Sequence, residues 1–132
     1  MLYTFDRFGC PVACHDALKW DSFYARVSAA GVGRHEDFVG RFRVQTYFLG
    51  LDLRGRVPWG PDPLIWETWV SEPTGEEWPR WRQVDYFGHA TQRAAAAAHR
   101  QIVLEMGRGI YTPSGRRWVF DERPYAPPSG IS

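Results

Sequence analysis

The sequence predicts an α+β fold: an antiparallel sheet of about three main strands with two helices packed on one face. Three observations lead there. Residues 41–49 and 64–71 are rich in aromatic and β-branched residues and change character at every position, the period of a pleated strand. A long Gly/Pro-rich loop separates them. Two other segments repeat small and apolar residues at helical spacing and carry capping residues at their ends.

In chain order, residues 2–5 and 11–13 read as short strands around an Asp6-Arg7-Phe8-Gly9 turn, since Gly at the fourth position suits a type I turn. Asp16 is placed to cap a helix over 17–30. There Ala17, Trp20, Tyr24 and Val27 share one stripe, and Gly31 is a natural stop. Residues 32–40 are polar and Gly-spaced, hence a connection. In the first long strand Phe42, Val44, Thr46 and Phe48 point one way, and Arg41, Arg43, Gln45 and Tyr47 the other. The strand at 64–71 has two fairly apolar faces and belongs in the middle of the sheet. Pro73-Thr74-Gly75 turns the chain into a third antiparallel strand at 81–87. Thr91 caps a helix over 92–106, where Ala95, His99, Ile102 and Met106 form a stripe suited to lie on the sheet. Residues 117–121 can form one more strand. The expected organisation is a single α+β domain over 1–123 and a Pro-rich tail over 124–132.

Composition bounds the function. A chain of 132 residues supports one core, and 44% hydrophobic with 23% charged residues excludes wholesale disorder. The net charge of +1 gives no bulk attraction to nucleic acid or an anionic membrane, so neither is an expected partner. No stretch reaches the ~20 apolar residues of a membrane span, and the first residues lack the features of a signal peptide. The expected location is the cytoplasm of a host cell. Lys19 is the only lysine, every other basic side chain being arginine. A GC-rich coding genome explains that bias more simply than function does.

No motif names a reaction. Cys10, Cys14 and His15 could donate to zinc with His35, His89 or His99. A single CxxxC without a second matching pair is a weak pattern, so no metal and no cofactor are expected. The loop at 50–63 has neither phosphate-binding glycine spacing, and its Asp52 and Asp62 fit turn chemistry better than a carboxylate pair. His99 on an apolar helical stripe reads first as a hydrogen-bonded core residue. No serine or cysteine stands in a nucleophile signature. The remaining candidate is a ligand-binding face made by Arg41, Arg43 and Tyr47, edged by Asp52, Arg54, Arg56 and Trp59, with His99 as a further candidate. Paired guanidinium groups beside a phenol suit a carboxylate, a phosphate or a base.

Several stretches carry a resemblance. Trp20-Asp21-Ser22-Phe23-Tyr24, Tyr47-Phe48-Leu49-Gly50-Leu51-Asp52, Gly60-Pro61-Asp62-Pro63-Leu64-Ile65-Trp66-Glu67-Thr68-Trp69-Val70 and the Thr91–His99 helix step resemble a family of short, functionally uncharacterised phage and prophage proteins. In that family F-L-G-L-D is followed by His, where this chain has Leu53, and a Gly stands where this chain has Ala98. The resemblance implies an accessory protein of a mobile element. The leading expectation is a non-enzymatic protein that binds or sequesters a host component, either a host protein or a small anionic, nucleotide-like ligand, as in anti-defence. Self-association is left open. The alternatives are a virion or assembly protein, and a small hydrolase or nucleotide-processing enzyme using Asp52, Glu67 and His99.

Overall fold

The computed structural model describes residues 1–52, 63–114 and 118–120, the last three through backbone pairing alone. Arg54, Arg56, Trp59 and the tail at 124–132 lie outside the described residues. The element order is β1 (Leu2–Phe5), β2 (Pro11–Cys14), α1 (Ala17–Ala30), β3 (Arg34–Val39), β4 (Phe42–Phe48), β5 (Trp66–Pro73), β6 (Trp81–His89), α2 (Gln92–Gly107) and β7 (Trp118–Phe120). The protein is α+β. β4 and β5 are antiparallel neighbours, with Thr46 opposite Thr68 and Tyr47 opposite Glu67. β6 pairs antiparallel with the other side of β5, its register shifted by a bulge at Val70/Ser71.

The sheet extends beyond the three strands expected. Residues 32–40 are not a plain connection: they contain β3, which pairs with β4 and forms one edge. Its charged run, Arg34-His35-Glu36-Asp37, masked a strand. Edge strands tolerate charge because one side faces water, and the charge deters pairing with another chain. At the opposite edge β7 runs parallel to β6, so the sheet is not purely antiparallel. Parallel neighbours need a crossover connection, and α2 supplies it.

That crossover makes the core. Ala98 and Ile102 of α2 pack on Val44, Val70 and Phe87, while Ala95 joins Phe48, Ile65 and Trp66. Alanine brings the helix backbone close to the strands. α1 and the β1–β2 hairpin close the end of the sheet. There Phe5, Phe23 and Tyr24 ring Phe48 at centroid distances of 5.1, 5.8 and 5.9 Å. Both helix starts are capped as the sequence implied. Asp16 Oδ1 accepts from the amides of Leu18 and Lys19, and Thr91 Oγ1 from that of Ala94 at 3.0 Å.

Residues 48–52 form the knot between these parts. The Gly50 carbonyl accepts from the Tyr3 amide at 2.8 Å and from Trp20 Nε1 at 3.2 Å. The same indole nitrogen lies 3.0 Å from the Tyr3 carbonyl. Gly50 has φ of 75°, and a Cβ there would sit 2.7 Å from Trp20 Nε1, so only glycine fits. Leu51 bridges to Leu2, and Asp52 Oδ1 accepts from the Leu64 amide at 3.2 Å. Asp52 thus does turn chemistry that holds the two ends of the long loop together. Among the described residues, no helix is long and apolar enough to cross a membrane.

Candidate ligand-binding face

The two faces of the sheet carry different chemistry. Under α2, a hydrogen-bonded chain crosses four strands. Asp37 Oδ2 of β3 lies 2.7 Å from His99 Nε2, and His99 Nδ1 lies 2.8 Å from Thr46 Oγ1. The Thr46 and Thr68 hydroxyls are 2.6 Å apart, and Thr68 Oγ1 is 2.8 Å from His89 Nε2. A carboxylate only accepts, so His99 Nε2 carries the hydrogen toward Asp37. With His99 neutral, Thr46 donates to Nδ1, Thr68 donates to Thr46, and His89 donates to Thr68. Every link then has one donor and one acceptor.

Asp37, His99 and Thr46 have the distances of an acid–base–hydroxyl relay. The hydroxyl, however, is fully buried in the middle of the sheet and already bonded to Thr68. A nucleophile needs access to its substrate, and Thr46 has none in this arrangement. His99 is therefore the hydrogen-bonded core residue its apolar stripe implied. The enzyme alternative joined it with Asp52 and Glu67. Asp52 instead binds the Leu64 amide, and Glu67 belongs to the opposite face of the sheet, paired with Tyr47. The sequence reading missed Asp37, Thr46, Thr68 and His89 as a set. The available signal was a threonine in the middle of the apolar face of each of two neighbouring strands.

The other face holds the arginine and aromatic residues. Register places Phe38 opposite Arg43, Glu36 opposite Gln45 and Arg34 opposite Tyr47 across β3 and β4. On the far side of β4, Arg43 faces Ser71, Gln45 faces Trp69, and Tyr47 faces Glu67. The Arg43 guanidinium lies 4.4 Å over the Trp81 ring, a cation–π contact, and the exposed Phe38 ring is 6.1 Å from the same indole. Arg43 Nε and Ser71 Oγ, on directly paired residues, are both buried with no hydrogen-bond partner among the described residues.

Further along the face, Glu67 is buried next to two phenols. Burial first, then the Glu67 carboxylate, push Tyr47 and Tyr86 well above the usual tyrosine range, so both stay protonated at neutral pH. Arg41 does not join Arg43 as a second prong. It precedes β4, sits 5.0 Å over the Phe42 ring and pairs with Glu72 Oε2 at 3.3 Å; Arg82 pairs with the same carboxylate.

Near α1, Cys14 Sγ donates to the Asp16 carbonyl, and Cys10 is an exposed thiol. No group of three or more His, Cys, Asp or Glu side chains among the described residues is placed to hold a metal. Comparison with protein-family models, with curated proteins and with solved structures returned no match.

Proposed function

We propose that this chain is a non-enzymatic accessory protein of a phage or prophage that binds a host component, and that its docking face is the Phe38–Arg43–Trp81 end of the sheet. One observation carries the placement. Arg43 Nε and Ser71 Oγ, facing each other across β4 and β5, are buried without partners. An unmet buried polar atom costs about 1–3 kcal/mol, and a partner group that reaches Arg43 would offset that cost. The half-buried Arg43 guanidinium donates and so matches a carboxylate or amide carbonyl on a partner surface, while Ser71 lies fully buried beneath the sheet surface. Trp81 beneath Arg43 and Phe38 beside it supply the aromatic anchors that concentrate binding energy at protein interfaces.

The non-enzymatic part is supported by the internal use of His99 and Thr46, which satisfy each other in the core. The phage part rests on the resemblance carried by residues 48–52 and 60–70.

The test is native mass spectrometry of the protein purified from its host, comparing wild type with Arg43→Gln and Ser71→Ala. The expected result is a retained host protein that is lost in Arg43→Gln and kept in Ser71→Ala. Ser71→Ala is expected to melt no lower than wild type, because it deletes an unpartnered hydroxyl. Full retention of the partner by both variants would move the docking face elsewhere.

A further inference from the structure

At the opposite end of β4 a cleft of about 430 Å³ opens between α1 and the sheet, within the size range of small-molecule sites. Tyr24 and Val27 of α1 and Phe48 of β4 give it an apolar inner wall. Gly33 brings the chain in behind them, and a Cβ at that position would lie 2.4 Å from Val27 Cγ1. The polar lining is Ser28, Arg34, Gln45 and Tyr47.

These groups point to one ligand chemistry. Gln45 Nε2 is engaged by Glu36 Oε2 at 2.9 Å, which leaves the Gln45 amide oxygen as an acceptor. The Tyr47 phenol is protonated; it hydrogen-bonds the buried Glu67 carboxylate, and Trp69 donates to its oxygen. The Gln45 oxygen calls for a ligand with an N–H or amino donor. Among the described residues of the lining Arg34 is the only charged group, and its link to Glu36 is long, at 3.4 Å. That geometry leaves guanidinium donors free for an anionic group. The aromatic wall and the volume favour a flat ring.

We infer that this cleft binds a planar heterocycle bearing an amino donor and an anionic tail, of mononucleotide size, with Arg34 on the anion, Gln45 on the ring edge and Tyr24 beside the ring. The site lies at the other end of β4 from Arg43 and does not depend on the docking face proposed above.

Isothermal titration calorimetry tests it with adenosine, guanosine and cytidine 5′-monophosphates, each compared with its unphosphorylated nucleoside. At least one monophosphate is expected to bind, at least tenfold more tightly than its nucleoside. Arg34→Gln is expected to erase that difference. Ser28→Trp, at an exposed position on the rim, is expected to fill the mouth and abolish binding while melting like wild type. Arg43→Gln is expected to bind as wild type does. The inference is overturned if no monophosphate binds at millimolar concentration, or if folded Ser28→Trp binds undiminished. It is equally overturned if Arg43→Gln loses the nucleotide while Arg34→Gln keeps it, an outcome that would leave the docking face standing.

Discussion

The hydroxyls of Thr46 and Thr68 face each other at 2.6 Å across β4 and β5, and each also bonds a histidine. Neither can be removed without orphaning a buried neighbour. Thr46→Val keeps the shape but strands His99 Nδ1 and the Thr68 hydrogen. It is expected to cost about 1–3 kcal/mol in urea unfolding. The double variant Thr46→Val/Thr68→Val is expected to lose less than the sum of the two single changes, because the threonines no longer orphan each other. Strict additivity would mean that the chain does not act as a unit.

Trp20 and Gly50 fix how α1 meets the sheet. Trp20→Phe keeps the ring packing and deletes the nitrogen shared by the Tyr3 and Gly50 carbonyls, an expected loss of about 1–3 kcal/mol. Gly50→Ala adds a methyl against the indole at a positive φ and is expected to cost at least about 1–3 kcal/mol. Unfolding midpoints check both. An unchanged midpoint for Gly50→Ala would mean that Trp20 yields without cost.

His35 gives the fold an acid-side pH dependence. Burial first, then the electrostatic influence of neighbouring His99 and Arg100, lowers its pKa from 6.5, against the raising effect of Asp37. The unfolded chain then takes up a proton that the folded chain resists. Stability is therefore full above 6.5 and falls as pH drops below it. His35→Gln is expected to flatten this fall in urea midpoints taken through the acid range. An identical slope in the variant would assign the pH dependence to other groups.

The α2 cap is a local test. Thr91 Oγ1 meets the Ala94 amide, one of the donors that a helix start leaves unsatisfied. Thr91→Ala is expected to lower stability by about 1 kcal/mol, and Thr91→Ser to restore most of it. Equal losses in both variants would indicate a packing role for the threonine methyl instead.

The sequence by itself determined the local structure. Asp16, Gly31 and Thr91 marked helix ends because capping is a bond between near neighbours, and alternation marked β4, β5 and β6 because side-chain period is a property of the strand alone. It also placed Arg43, Gln45 and Tyr47 on one face. β3 stayed hidden because its stability comes from pairing with β4 rather than from apolar residues of its own. The parallel placement of β7 stayed hidden because nothing within a segment specifies the direction of its neighbour. The partners of the candidate residues were decided by tertiary structure alone. Asp37 and His99 stand 62 residues apart, and Arg43 met Trp81 and Ser71 rather than Arg41. Such contacts depend on register and on the angle at which α2 crosses the sheet, and those follow from packing the whole core at once.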